Sequence, residues 1–219
     1  MGETWAGGQV PGRRDDFAEV TVRPARDSDR RTVGRLLVLG FPDKFAPVFG
    51  PDRERTAAVL ADLPPSGTVY VAEGAGQVVG TFTLVLEERT PSPLWPILRR
   101  HLGFGAALRA FVLLQLMGTS HPDPQTALVE AVAVLPEWRG RGVGRQMMAQ
   151  ALALARRAGR QRVGLYVVEG NAPAFRLYTS LGFRVQRAHR LLWTRPLFGA
   201  QRILYMTVDL GHTGGAAGA

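Results

Sequence analysis

The chain has 219 residues, 46% of them apolar, which suits one domain with a sizeable core. Zero cysteines exclude disulfides, thiolate metal sites and a cysteine acyl-enzyme, and they are compatible with a cytoplasmic protein. The formal net charge of +9 comes almost wholly from arginine, since Lys44 is the only lysine, and it should attract polyanions.

The two ends of the chain differ in composition from its middle. Residues 1–17 are rich in glycine and charge, which predicts a disordered leader that lacks the apolar core of a signal peptide. Residues 211–219 predict a disordered tail, so a single domain should span 18–210. The arginines are scattered through predicted helices and are not clustered with aromatic residues, which argues against nucleic acid as a partner.

The first part of this domain predicts three strands and two helices. Alternation of apolar and polar residues indicates half-buried strands, while capping residues and prolines set the ends of the helices. The predicted elements are a strand at 18–23, a helix capped by Asp27 or Ser28 and reaching about residue 39, a stop at Pro42, a helix after Asp52 that ends before Pro64, and a hairpin of strands at 68–73 and 77–87.

Residues 90–125 are too many for a plain connection and should carry structure of their own. Two apolar stretches predict helices at 94–102 and 104–117, with a break between them at 103–105. The second helix is too short for a membrane span, which takes about 20 apolar residues, and Arg109 interrupts it. We therefore expect no transmembrane segment.

Residues 127–148 predict a strand, a glycine-rich turn and the start of a helix in direct succession. Glu130 is the one interruption of the apolar strand at 127–134. Glycines at 140, 142 and 144 remove side chains that would keep a ligand off the backbone. The helix that follows leaves its first N–H groups unpaired at its positive end, which favours a bound pyrophosphate.

Three other interpretations of these glycines can be compared with the sequence. A P-loop needs Lys-Ser or Lys-Thr after its last glycine, where this chain has Arg145 and Gln146. A dinucleotide fingerprint needs glycine or alanine at 145 and an acid about 20 residues further on, and both are missing. The glycines alone also fit an ordinary tight turn.

The end of the domain predicts two more helices and three strands. Helical spacing extends the helix after the glycine turn to about residue 158, and Asn171 is a natural cap for the next helix. The other predicted elements are a strand at 162–168, a helix at 172–180, a strand opened by Gly182 and Phe183, and a closing strand at 203–210.

Three motifs together resemble the GCN5-related N-acetyltransferases, the GNAT superfamily. They are Val-x-Val-x-Pro at 132–136, Arg-x-x-Gly-x-Gly at Arg139, Gly142 and Gly144, and Asn-x6-Tyr-x3-Gly-Phe at 171–183. A weaker match covers 20–29. The resemblance implies an α/β fold with a mixed, mostly antiparallel sheet of about seven strands, flanking helices, and a splay between strands 4 and 5.

In this family acetyl-CoA lies in the splay as the co-substrate. The resemblance implies that the pantetheine arm pairs with the fourth strand, that backbone amides of the glycine turn hold the pyrophosphate, and that Asn171 contacts the coenzyme arm, caps its helix, or does both. The implied cofactor-binding residues are Val132, Ala133, Val134, Arg139, Gly140, Arg141, Gly142, Val143, Gly144, Arg145 and Asn171.

The resemblance makes Tyr178 the candidate acid that protonates the departing thiol, a transfer that is uphill by roughly 2 kcal/mol for ordinary pKa values. Its alternative is to pack its helix on the sheet. Glu130 is the candidate base, because it is an acid beside the expected thioester, or else a structural or substrate-positioning residue. A family subset that acetylates protein N-termini has a glutamate where this chain has Tyr166, which argues against that activity. Nothing in the spacing of His101 and His121 predicts a metal site.

The resulting hypothesis is acetyl-CoA-dependent N-acetylation of a small-molecule or protein amine by direct transfer. Its rival is a catalytically weak acyl-CoA-binding regulatory module on the same fold. Residues 41–49, with Asp43, are a candidate acceptor loop, and 195–200 is a candidate border of the acceptor site. The extra helices of 90–125 could pack on the core, cover the acceptor, or contact a membrane surface or the partner in a homodimer.

Overall fold

A computed structural model describes residues 20–87, 93–116, 123–190 and 202–211. The predicted leader at 1–17, all but the first residue of the predicted tail, the loop at 195–200 and His121 lie outside these ranges. In the described ranges, none of the helices is long and apolar enough to cross a membrane.

The fold is built on a seven-stranded sheet with the order β1-β2-β3-β4-β5-β7-β6. Every neighbouring pair is antiparallel except β4 and β5, which are parallel. The predicted mixed, mostly antiparallel sheet is therefore confirmed. The strands are β1 (Thr21–Pro24), β2 (Thr68–Gly74), β3 (Gln77–Val85), β4 (Thr126–Val134), β5 (Arg162–Val168), β6 (Arg184–Arg190) and β7 (Arg202–Asp209).

Seven α-helices flank this sheet in the described part of the chain. They are α1 (Arg30–Gly40), α2 (Pro42–Phe49), α3 (Arg53–Asp62), α4 (Leu94–His101), α5 (Phe104–Leu116), α6 (Val143–Arg157) and α7 (Ala172–Ser180). The predicted loop at 41–49 is wrong, because α2 fills it. Pro42 stands in the first turn of α2, where its missing N–H is not needed.

Two apolar clusters hold the helices in place. The larger one packs α6 and α7 on the sheet and includes Phe82, Met147 and Phe183. The smaller one joins the predicted extra helices to α2 and α3, and it buries Leu98 and Ala107. The segment around 94–116 therefore packs on other helices and extends the side of the molecule that α2 forms.

Candidate active site

The two parallel strands separate part of the way along their length. β4 and β5 pair from Thr126 and Arg162 as far as Val129 and Leu165. β4 then continues for five residues and β5 for three without pairing with each other. The expected splay is therefore present, and it opens a gap inside the sheet.

A bulge in β4 lies directly at the start of this gap. Thr83 of β3 pairs with Glu130 and Thr81 pairs with Ala133, so two residues of β4 oppose the single residue Phe82. Ala131 has φ of 55°, a left-handed conformation that is uncommon outside glycine. A bulge bends its strand and increases the local twist, which is why β4 leaves β5 at this point.

Backbone groups of β4 line the gap beyond the bulge. Leu135 N–H donates to Val79 of β3 at 2.9 Å, whereas the carbonyl of Val134 accepts from Arg139 Nε at 3.0 Å. Alternate residues of a strand present their backbone groups to opposite edges. The backbone of Val134, and by the same alternation that of Val132, therefore faces the gap, where an extended amide chain can pair.

The glycine turn and the start of α6 form the other half of the predicted cofactor site. Gly140 and Gly142 have φ of 75° and 80°, and Gly142 is the N-cap of the helix. The first helical bond after this cap runs from Gln146 N–H to Gly142. The N–H groups of residues 143–145 therefore point out of the helix end, as an anion site requires.

Gly144 has a separate role in packing. A Cβ at this position would lie 3.1 Å from Leu177 Cδ2 on α7, which is tighter than ordinary contacts. The absence of a side chain therefore lets the first turn of α6 approach α7. Both helices border the gap from the same side of the sheet.

The three predicted arginines surround the glycine turn and make different contacts. Arg139 donates to Val134, the Arg141 guanidinium lies 5.7 Å from the ring centroid of Trp138, and Arg145 Nη2 donates to Ser180 Oγ at 2.8 Å. All three are exposed. They place positive charge around the amides of the α6 end, which favours an anionic ligand further.

Helix α7 carries the two residues of the second motif. Asn171 caps the helix, because its Oδ1 accepts the N–H of Ala174 at 3.2 Å. Tyr178 is 6% exposed and packs its ring 5.9 Å from that of Phe183. Burial raises the pKa of Tyr178 to about 12. Both structural alternatives are thus observed, and neither is incompatible with a role at the gap.

The Tyr178 hydroxyl has no hydrogen-bond partner among the described residues. Within the same ranges, Arg160 Nε is the only fully buried side-chain N or O atom that lacks a hydrogen-bond partner. No other described residue therefore engages the Tyr178 hydroxyl, although the ring is buried. A phenol O–H that makes no such bond keeps its proton for donation to a ligand.

Glu130 lies on the opposite face of the sheet from Tyr178. It pairs with Thr83, whereas the neighbours Phe82 and Leu84 face α6 and α7 in the main core. Its carboxylate is half-buried and accepts a hydrogen bond from Ser66 Oγ, so it is less enclosed than the apolar strand predicts. The gap is where groups from both faces can reach one ligand.

Two residues near Glu130 are missed by the sequence. Ser66 lies in the loop between α3 and β2, and Lys44 lies on α2 with Nζ 5.6 and 5.5 Å from the ring centroids of Phe41 and Phe45. Burial of the ammonium group lowers the pKa of Lys44, although the residue as a whole is exposed, and the Glu130 carboxylate opposes this effect. No local motif marks either residue, because chain segments far apart in sequence bring them together.

Two candidates from the sequence remain, His101 and Asp43. The structure describes the contacts of His101 but not the side chain of Asp43. His101 Nε2 lies 2.8 Å from Asp62 Oδ2 and ties α4 to α3. The side chain of Asp43 lies outside the described part of the structure. Among the described residues, no group of three or more His, Cys, Asp or Glu side chains is placed to hold a metal ion.

Comparisons with known proteins give relatives of two kinds. A mycothiol acetyltransferase from Thermobispora bispora is 51% identical over 55 residues, which are 25% of this chain and 19% of that protein. A streptothricin acetyltransferase from Streptomyces lavendulae is 32% identical over 84 residues, 38% of this chain and 44% of that protein. The chain thus spans less than half the length of either relative.

A solved structure from Salmonella typhimurium, determined with its cofactor acetyl-CoA, shares the fold. It has a TM-score of 0.55 and 20% sequence identity, and the match covers 91% of this chain and 99% of that one. The model of the Acetyltransferase (GNAT) family matches residues 36–183, which is more than half of the chain. The splayed β4 and β5, the glycine turn and this match show that the chain belongs to the Acetyltransferase (GNAT) family.

Proposed function

We propose that the chain is an N-acetyltransferase that moves an acetyl group from acetyl-CoA directly to an amine. The observation that carries this proposal is the gap between β4 and β5, with the open helix end of α6 at its mouth. The names of the two relatives, both acetyltransferases, support the reaction class. The acetyl-CoA of the Salmonella typhimurium structure supports the choice of acyl donor.

The residues around the gap divide the work of holding acetyl-CoA. Backbone groups of residues 132–134 pair with the amides of the pantetheine arm, and the amides of 140–145 bind the pyrophosphate at the α6 end. Arg139 must release Val134 for that pairing to form, and its guanidinium is then free to meet a phosphate. Asn171 contacts the arm from the start of α7 and keeps its capping bond.

The chemistry requires one bond to form and one to break. The amine nitrogen attacks the thioester carbonyl carbon, the new C–N bond forms, the C–S bond breaks, and coenzyme A leaves as a thiol. Glu130, positioned by Ser66, accepts the proton that the amine loses, directly or through water. Tyr178 donates a proton to the departing sulfur from the other face of the sheet.

The raised pKa of Tyr178 changes the energetics of the last step. Against a thiol pKa of about 8.5, a phenol pKa of about 12 makes proton transfer uphill by roughly 5 kcal/mol, more than the sequence-based value. Desolvation inside the gap raises the pKa of the thiol as well and so narrows this difference. Tyr178 therefore acts first as a hydrogen-bond donor to the sulfur and transfers its proton only as the C–S bond breaks.

A comparison of binding with turnover tests this proposal. Calorimetry measures acetyl-CoA affinity, and thiol release measures turnover with a panel of amines. Replacing Tyr178 with Phe keeps the ring and removes the proton, so kcat should fall by roughly 10² to 10⁴ while acetyl-CoA affinity changes little. The matched control is Tyr70→Phe. Tyr70 lies on β2 and stacks on Phe82 with ring centroids 5.1 Å apart, so this substitution should leave kcat unchanged.

Two other outcomes decide between the hypotheses. If acetyl-CoA binds but none of the amines causes release of the thiol, the chain is the acyl-CoA-binding module. The proposal that it is an acetyltransferase would then be wrong. If the Tyr178→Phe variant turns over at the parent rate, the proposed acetyl transfer is still supported. Tyr178 then only packs α7 on the sheet and is not the acid.

A further inference from the structure

A row of side chains crosses the sheet from the gap towards its outer edge. Tyr166 of β5 pairs with Tyr205 of β7, and Tyr205 pairs with Arg187 of β6. Residues directly opposite each other share a face of the sheet. Glu130 follows the last residue of β4 that pairs with β5, so it stands beside Tyr166 on the same face. The row therefore runs from an acid through two phenols to a guanidinium.

The middle of this row is an aromatic surface. The rings of Tyr166 and Tyr205 have their centroids 5.0 Å apart, and the ring of His189 lies 6.4 Å from that of Tyr166. Tyr205 lies over Gly164, where an added Cβ would be 2.7 Å from the phenol oxygen. All three rings keep exposed area, so a ligand can pack on them.

The two ends of the row carry opposite charges that reach the same phenol. Burial raises the pKa of Tyr166, the Glu130 carboxylate raises it further, and the Arg187 guanidinium opposes both effects. Burial also raises the pKa of Tyr205, and the Arg187 guanidinium is one of the groups that oppose this shift. Tyr166 therefore experiences two opposing electrostatic effects, from the Glu130 carboxylate near the gap and from the Arg187 guanidinium near the edge of the sheet.

The size of the row suits a small molecule. Three strand intervals separate the backbones of Glu130 and Arg187, each about 4.8 Å where neighbouring strands are paired and wider where β4 has left β5. Both side chains are long, which shortens the free distance between their charged groups. A ligand that bridges these groups has the dimensions of a small molecule.

We propose that the acceptor amine also carries an anionic group, as an amino acid does, and that Arg187 binds that group while Glu130 meets the amine. This inference rests on the proposed acetyl transfer and adds the class of acceptor to it. The rings of Tyr166 and Tyr205 lie beneath the acceptor and pack against its carbon atoms. Arg187 is therefore a specificity residue that lies outside the family motifs.

The charges around the row disfavour a polycationic acceptor. Lys44 on α2 adds a second cation near Glu130, and the other charges that act on Tyr205, those of Arg162 and Asp123, pair with each other. The whole chain carries a net charge of +9. A polyamine would bring further positive charge to this surface, whereas a zwitterion leaves its anionic end to a guanidinium that can bind it with two parallel hydrogen bonds.

The test compares an amino acid with its own amide. Thiol release from acetyl-CoA is measured for phenylalanine, methionine and glycine, for the three matching amides, and for spermidine. Each pair keeps the amine and side chain and differs in the carboxylate. Replacing Arg187 with Gln should lower the ratio of kcat/KM for acid over amide by roughly tenfold or more, because the amide does not use the guanidinium. The control Arg184→Gln removes the same charge from the same strand, and the ratio should not change.

The possible results distinguish failure of the inference about the acceptor from failure of the proposed acetyltransferase function. An unchanged ratio in Arg187→Gln, or transfer to spermidine and to none of the amino acids, overturns the inference and leaves the acetyltransferase intact. Acetyl-CoA binding measured by calorimetry without transfer to any amino acid also overturns it. Loss of acetyl-CoA binding in the parent chain overturns the proposed function and the inference together.

Discussion

Ser66 donates a hydrogen bond to Glu130 across 64 residues of sequence, from the loop after α3 to the point where β4 leaves β5. This bond holds the Oε2 atom of the Glu130 carboxylate at the start of the gap. The bond fixes the orientation of the Glu130 carboxylate beside the gap. Ser66 acts through Glu130, so it is a positioning residue.

The coupling of these two residues can be measured by a double-mutant cycle. Ser66→Ala should lower kcat/KM for the acceptor by roughly tenfold or more, the effect of one hydrogen bond to a charged group. Glu130→Gln should have a larger effect on kcat, roughly 10² or more. In the Glu130→Gln background, Ser66→Ala should change little further, because its partner has lost its charge. Independent effects of the two substitutions would contradict the positioning role.

The glycine turn offers a matched pair of substitutions. Gly140 and Gly76 both have φ of 75°, and neither would place a Cβ within 4 Å of another group. Changing either to Val should therefore destabilise the fold by a similar amount, about 1 to 2 kcal/mol. Gly140→Val alone should weaken acetyl-CoA binding, by tenfold or about 1.4 kcal/mol, since Gly76 lies in the β2–β3 turn. Calorimetry giving equal affinities for the two variants would exclude the turn as the phosphate site.

The pKa of Tyr178 predicts how stability depends on alkaline pH. The folded state holds the phenol proton more tightly than the unfolded state, because burial raises the pKa from 10.0 to about 12. This contribution is complete below pH 10 and is lost as the pH rises towards 12. At pH 11 the loss from Tyr178 alone should be about 1.4 kcal/mol relative to pH 9. Urea unfolding of the parent and of Tyr178→Phe at both pH values measures it, and parallel losses in the two proteins would argue against the raised pKa.

The helices of the segment 94–116 allow packing to be separated from cover of the acceptor. Leu98 is 0% exposed in the smaller cluster, whereas Leu108 is 46% exposed on α5. Leu98→Ala should lower the free energy of unfolding by about 2 to 5 kcal/mol. Leu108→Ala should lower it by less than about 1 kcal/mol. If the helices only pack, acceptor KM stays constant in both variants; a raised acceptor KM in Leu108→Ala with normal stability would show that α5 also covers the acceptor.

The regular elements around the family motifs were predictable because local chemistry sets their ends. Helix α7 spans the predicted 172–180, since Asn171 caps it and a proline stands in its first turn. Strand β5 matches the predicted 162–168 for a similar reason, as a continuous apolar run after a turn. The predicted order of strands and helices on either side was likewise confirmed, except for the additional helix α2.

Helix α2 was not predicted because one residue carries two opposite signals. Pro42 stops α1 and also starts α2. The spacing of Phe41, Phe45 and Phe49 is a helical signal that could have revealed it, and their rings do form a chain with centroids 6.2 Å apart. A proline interpreted only as a breaker hides such a helix.

The details of the candidate site were beyond local patterns. Nothing in the residue type of Ala131 indicates its left-handed backbone, since alanine rarely adopts it. The hydrogen bond from Ser66 to Glu130 and the position of Lys44 near that carboxylate depend on how distant helices and loops pack, and so does the row from Tyr166 to Arg187. Sequence patterns identify the groups that a motif contains, whereas tertiary packing decides what surrounds them.

The gap between β4 and β5 also has a consequence for solubility. Strand edges normally lie at the rim of a sheet, where they can recruit a strand from another molecule, but here unpaired edges lie in the middle of the sheet. Arg139 occupies one of the free carbonyls, at Val134, with a charged side chain. A charged residue at an open edge discourages a foreign strand from adding to it. The guanidinium that we propose meets the coenzyme should thus also disfavour the association of two molecules through the gap.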